Sequence, residues 1–184
     1  MPLNPLSDNT LMIAVRSGNL DQMGLLFERY NRPLFGFCYR MTGHAPTSED
    51  LVQSVFYRML KYRHTFTGDG EFRTWMYHVA RNVLADHHQQ NRQRYDSVDD
   101  WASRIGGGTE ADEALHRTQE REMVHEALLK LKPDQREILI LSRFQELKYE
   151  EIARILHTTE GAVKVKVHRA MNELKKVLLE AHEL

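Results

Sequence analysis

Residues 149–176 read YEEIARILHTTEGAVKVKVHRAMNELKK, and the spacing of their apolar positions decides the fold class. A short helix is expected over about Tyr149 to Leu156. After a break at His157-Thr158-Thr159, a longer helix is expected to run to about Leu179, with Thr159 as its N-cap. At about 100° per residue, Val163, Val167, Ala170 and Leu174 fall on one stripe of that helix and face a core. The outward side then carries Val165, His168, Arg169, Asn172 and Lys176, flanked by Lys164 and Lys166. Five Lys/Arg against two Glu lie between Glu160 and Lys176, a local charge suited to phosphates. A solvated helix face would account for the charge alone. The tight turn, the cap and the small Ala153 where two helices would cross point instead to a helix-turn-helix whose second helix faces a groove. His157 stands where such turns need positive φ, a conformation glycine adopts most easily.

Upstream, Met123, Leu128 and Leu131 end a helix before Pro133, and Ile138, Leu139 and Leu141 belong to the next. In the N-terminal half, Thr47 and Asp50 match a capping box, after which Leu51, Val52, Val55, Phe56, Met59 and Leu60 recur at helical spacing. Beyond Gly68-Asp69-Gly70, the stripe Phe72, Trp75, Met76, Val79 and Val83 predicts a helix from about Glu71 into the low 90s. Leu20, Met23, Phe27 and Tyr30, then Leu34, Phe37, Cys38 and Met41, predict weaker helices interrupted at Pro33. No alternating Val/Ile-rich run argues for a strand, so the class is all-α, with about four helices in the first unit.

The chain has 184 residues and a formal net charge of −1, but charge is distributed unevenly. Residues 1–95 hold 11 Lys/Arg against 8 Asp/Glu, residues 96–120 hold 2 against 7, and residues 121–184 hold 12 against 11. The acidic middle contains Gly106-Gly107-Gly108 and little apolar periodicity, so 95–118 reads as a flexible linker that lets two small domains separate. The single cysteine, Cys38, excludes an internal disulfide and fits a reducing compartment. The N-terminal residues lack a basic region, and Leu11 to Val15 is too short for a signal or membrane segment, so a cytoplasmic protein is expected. Ten histidines include Asp86-His87-His88, but adjacent helical residues diverge by about 100° and no His-x-x-x-His pair exists, so neither metal nor cofactor is expected. Nothing in the sequence assembles an enzyme's site.

One further constellation bears on binding. On the helix from Glu71, Arg81, His88 and Arg92 lie opposite the apolar stripe with Tyr77 nearby, an exposed cationic ridge suited to backbone phosphates and to stacking on separated strands. The loop before it, His64 to Glu71, is polar and has two glycines that leave room for an unstacked base.

The run Glu49-Asp50-Leu51-Val52-Gln53-Ser54-Val55-Phe56, followed by Phe72-Arg73-Thr74-Trp75-Met76-Tyr77-His78-Val79-Ala80-Arg81-Asn82, resembles region 2 of the extracytoplasmic-function (ECF, group IV) RNA polymerase sigma factors. Tyr149-Glu150-Glu151-Ile152-Ala153, Glu160-Gly161-Ala162-Val163-Lys164 and His168-Arg169-Ala170 resemble their region 4. The resemblance covers about 20–93 and 119–179. It implies a region 2 domain over 1–94 and a region 4 domain over 119–184. It also implies a transcription-initiation subunit that binds the β′ coiled coil and β flap of core RNA polymerase, reads −10 and −35 promoter elements, and answers to an anti-sigma factor. By motif position Asp50, Gln53 and Phe56 would dock the polymerase, and Asn82 with Gly68 and Asp69 would meet a flipped −10 base. Lys164, Val165, His168 and Arg169 would meet the −35 major groove, Val165 standing where the family commonly has a small hydroxyl residue. A LuxR-type helix-turn-helix regulator stays open as the alternative, because residues 163–168 are similar to that family's recognition helix. A protein-interaction module that binds polymerase without DNA is a third reading. The N-terminal half discriminates among them.

Overall fold

A computed structural model describes residues 6–95 and 112–182. The first unit comprises α1 (Asp8–Arg16), α2 (Gln22–Thr42), α3 (Ala45–Lys61) and α4 (Phe72–Tyr95), with a 3-10 turn at Arg63–Thr65. The second comprises α5 (Asp112–Lys130), α6 (Pro133–Leu139), α7 (Tyr149–Ile155) and α8 (Glu160–His182). A π-helical turn, Ile140–Phe144, extends α6. Most of the expected linker lies outside the described residues, and α5 begins inside the remainder.

Two expectations about the first unit are corrected. The segment around Pro33 is not interrupted: α2 is one helix of 21 residues with Pro33 inside it. Proline there cannot donate to the carbonyl of Arg29, a cost of about 3 kcal/mol. Leu26, Leu34 and Phe37 on the same helix are fully buried, and at about 1.5–3 kcal/mol each their burial outweighs it. The start of α3 also differs. Thr47 is not its cap; the helix begins at Ala45, and the His44 ring accepts from the Thr47 amide at 3.2 Å. α2 stops at Gly43, whose φ of 73° is the left-handed cap conformation. The Leu129 side chain packs on this glycine so closely that a Cβ would lie 2.8 Å from its Cδ1.

That contact belongs to a junction between the two units, which were expected to be loosely joined. Arg136 of α6 donates to three carbonyls near the end of α5, Leu128, Leu129 and Leu131, and to Met41 at the end of α2. These carbonyls lie at or just beyond two helix C-termini, where a guanidinium also meets the negative ends of the helix dipoles. Tyr39 stacks on His125 with ring centroids 4.5 Å apart, and Arg40 lies 4.3 Å over the ring of Phe144. On α4, His78 meets His157 with their Nε2 atoms 3.2 Å apart.

The junction makes the protein sensitive to acid. Desolvation, then His157 and Arg81, lowers the pKa of His78 below the usual histidine value. His125 is lowered by desolvation, then by Arg40 and Arg136, with Glu126 opposing, and its Nε2 is buried without a hydrogen-bond partner. Both rings therefore bind protons less readily when folded than when unfolded. The unfolded chain takes up more protons below about pH 6.5, so stability from these groups is full above that pH and lost as pH falls through it. The melting temperature, followed by circular dichroism, is expected to fall between pH 7.5 and 5.5, and less so in a His78→Asn/His125→Asn variant.

Candidate nucleic-acid interface

The helix-turn-helix is built as its sequence implies. The Thr159 hydroxyl accepts from the Ala162 amide at 3.1 Å, capping α8. Val163, Val167, Ala170 and Leu174 are buried against the rest of the unit, while Lys164, Val165, Lys166, His168, Arg169, Asn172 and Lys176 are exposed. His168 is steadied by Asn172, one turn on, at 3.2 Å. The turn carries φ of 51° at His157, a conformation that disfavours a residue with a Cβ by about 1 kcal/mol. It is held because the Thr158 amide reaches back to the Ala153 carbonyl at 2.9 Å and closes the end of α7.

The ridge on α4 is only partly free. Asn82, His88 and Arg92 are exposed. Arg81 is half-buried and engaged: it donates to both carboxylate oxygens of Glu137, at 2.6 and 3.3 Å, and to the Ile155 carbonyl at 3.1 Å. Tyr77, expected beside the ridge, is 1% exposed, and its hydroxyl donates to the Gln145 amide oxygen at 2.6 Å. Arg73 closes the same corner by donating to the Gln145 carbonyl at 2.6 Å. Helical periodicity marks the face pointing away from a helix's own unit, and here the second unit covers part of that face.

The loop before α4 is held by residues the sequence did not single out. Arg16 of α1 donates to the Phe66 and Thr67 carbonyls at 2.9 and 3.1 Å. Asn9 accepts from the Phe72 amide at 2.8 Å and donates to the Gly70 carbonyl at 2.9 Å, so α1 supplies a cap for α4. No local signal could have revealed this, because the partners lie more than sixty residues apart. The Trp75 indole donates to Thr65 at 3.1 Å and fixes the other side. Gly68 has φ of 87° and lies against Ile13, and Asp69 is exposed beside it. Replacing Asn9 by Ala is expected to destabilise the fold by about 1–2 kcal/mol, read from the urea midpoint at unchanged slope.

On α3, Asp50 and Gln53 are exposed and Leu51, Val55 and Met59 are buried. Phe56 differs from its expected place at a partner surface: it is 6% exposed, with its ring 4.9 Å from that of Phe27. It shares the buried stripe of Val52, one helical turn earlier, and only the edge formed with Phe27, which is 45% exposed, reaches solvent. Burial pushes the Cys38 thiol up to about 12, leaving it a core residue without thiolate chemistry at neutral pH. Asp86 is paired with Arg58 at 2.5 Å, and His87 with Asn91. Among the described residues no group of three or more His, Cys, Asp or Glu is placed to hold a metal ion, and no helix is long and apolar enough to cross a membrane.

Residues 26–94 match the family model of sigma-70 region 2, and residues 121–174 match that of sigma-70 region 4. The RNA polymerase sigma factor YlaC of Bacillus subtilis is 33% identical over 169 residues, which span 89% of this chain and 95% of YlaC. The ECF RNA polymerase sigma factor SigX of the same organism is 31% identical over 157 residues, 83% of this chain and 81% of SigX. The chain belongs to the ECF RNA polymerase sigma factors. The N-terminal half, as region 2, removes the LuxR-type alternative. The sigma fold extends over both units together: the structure of CnrH in complex with the cytosolic domain of CnrY superposes with a TM-score of 0.70 at 24% identity, covering 95% of this chain and 97% of CnrH. In the sigma factor, region 2 therefore supplies α3, α4 and most of α2, and region 4 supplies α6 to α8 with the end of α5.

Proposed function

We propose that this sigma factor binds core RNA polymerase and directs it to promoters, with α8 reading the −35 element and α4 with its preceding loop reading the −10 element. The observation that carries the reading is α8 itself, a capped helix with a buried apolar stripe and an exposed set of Lys164, Val165, His168 and Arg169. A guanidinium there can donate two hydrogen bonds to a guanine edge, and Val165 offers apolar contact to a thymine methyl. Lys176, farther along the helix, reaches only phosphate. At −10, the exposed Asn82 and the Gly68-Asp69 loop are assigned the flipped base, and Arg81, His88 and Arg92 the displaced backbone, while the buried Tyr77 takes no part. Asp50 and Gln53 are assigned to polymerase docking, with the edge of Phe56.

The domain division follows as 1–94 and 119–184 around the linker 95–118. An anti-sigma partner fits the same reading, since the neighbouring fold of RpoE from Bartonella quintana was solved with the anti-sigma factor NepR. The reading assigns the chain no catalytic step of its own and puts it where the polymerase works, in the cytoplasm. Run-off transcription with core polymerase on a genomic promoter library tests it. Discrete start sites that share −10 and −35 sequences are the expected result. Transcripts no different from those of core polymerase alone would reject the reading.

A further inference from the structure

Two histidines from distant parts of the chain meet at the solvent edge of the junction. His78 of α4 and His157 of the turn between α7 and α8 hold their Nε2 atoms 3.2 Å apart, although 79 residues separate them and no local spacing marks the pair. Their ring centroids are 5.3 Å apart with the planes at 82°, so each imidazole meets the other with its Nε2 end foremost. His78 is half-buried and His157 exposed, which leaves water free to reach the point between them. His157 has φ of 51°, a conformation that glycine adopts freely, yet an imidazole stands there and reaches α4.

An N–H of one ring donating to the other accounts for this distance, and so does a metal ion that takes a lone pair from each. Zinc binds imidazole nitrogens at about 2.0–2.1 Å in a tetrahedron, which sets two of them about 3.3–3.4 Å apart. The same bond length at a right angle, as in a square-planar or octahedral ion, sets them about 2.8–3.0 Å apart. The observed spacing lies nearer the tetrahedral one. Asn82, one turn after His78, brings its amide within 3.5 Å of the other ring nitrogen, Nδ1. With that amide reversed, its oxygen accepts from an Nδ1–H, the outer partner that metal-bound imidazoles use, and the Nε2 lone pair is freed. The proton between the two rings then moves from Nε2 to Nδ1 of His78, the ring stays neutral, and the metal takes the vacated place. The neighbouring cation Arg81 is held at 2.6 Å by Glu137, which offsets its repulsion of a metal ion.

We propose that His78 and His157 form a zinc site that bridges α4 and the turn of the helix-turn-helix, with water completing the coordination. The site does not depend on the promoter assignments made above. Each ring comes from a different unit, so zinc and any partner that parts the two rings weaken one another's binding by the same factor.

The test titrates zinc chloride into the full chain at about pH 7.5, where ordinary imidazoles are neutral. Isothermal calorimetry gives stoichiometry and affinity, and nitrogen-15 spectra of the histidine rings report which nitrogens take the metal. The unchanged protein is compared with His78→Gln, His157→Gly and His64→Gln. His157→Gly removes a ligand while relieving the positive φ, so loss of binding there cannot come from misfolding. His64→Gln removes an exposed ring elsewhere. The expected result is one zinc per chain, with the Nε2 signals of His78 and His157 shifting together. Binding should weaken at least about tenfold in His78→Gln and in His157→Gly and stay unchanged in His64→Gln. With free zinc at about ten times the dissociation constant, the melting temperature should rise by about 3–6 °C in the unchanged protein and His64→Gln alone. Equal zinc affinity in the unchanged protein and His157→Gly overturns the site, as does saturation with zinc that leaves both Nε2 signals in place, or no measurable binding at all.

Discussion

Replacing Arg136 by Ala is expected to lower the unfolding free energy by about 2–4 kcal/mol, a large effect for a half-buried side chain. Its guanidinium donates to the carbonyls of Leu128, Leu129 and Leu131 and to that of Met41 at distances of 2.6 to 3.0 Å. Hydrogen bonds from a charged donor contribute about 1.5–3 kcal/mol each where water cannot replace them. Partial exposure lets water reach some of the carbonyls, which keeps the total below the simple sum. Arg136→Lys should recover only part of the loss, because an ammonium has three donors and lacks the planar fork. Urea unfolding followed by circular dichroism checks both. The stability of Arg136→Ala should fall, with the domains separating at lower denaturant than they unfold, and a loss under about 1 kcal/mol would show that the four bonds are exchanged for water without cost.

The second large effect concerns −35 readout, where Arg169→Ala and Lys176→Ala should differ in kind. Both side chains are exposed on α8, so neither substitution disturbs the buried stripe. Loss of a bidentate contact from Arg169 should cost roughly 1–3 kcal/mol and relax preference at one base position. Loss of Lys176 should weaken binding to all sequences about equally and lower the salt slope by about one. Binding of the two variant holoenzymes to single-base −35 variants at two salt concentrations separates these outcomes. Uniform weakening by Arg169→Ala would mean that the helix reads charge and shape alone.

The helix-turn-helix was legible because everything that makes it is local. Thr159 caps a helix that starts one residue later, and the stripe from Val163 to Leu174 repeats within five turns, so a pattern of types at fixed spacing carries the structure. Positive φ at His157 was legible for the same reason, since the turn's geometry requires it whatever stands there. Pro33 shows where local reasoning fails: the penalty of a helical proline is local, whereas the burial of Leu26, Leu34 and Phe37 that overrides it comes from other helices. His44 and Asn9 are caps of kinds that composition does not mark, one an imidazole and the other from a different helix.

The sequence by itself determined the all-α class, the two units, the capped helix α8 with its outward residues, and the alternation of Asp50 and Gln53 with the buried side of α3. These follow from periodicity and capping, which act over a few residues. Only the tertiary structure decided the state of α4. The sequence fixes no partner for the outward face of a helix, and a cation such as Arg81 reads as free until a carboxylate from a distant segment is brought to it. Glu137 and Gln145 are brought there by the packing of region 4 on region 2. That packing depends on shape and on carbonyls left over at helix ends, such as those Arg136 collects, and neither leaves a trace in the order of residue types.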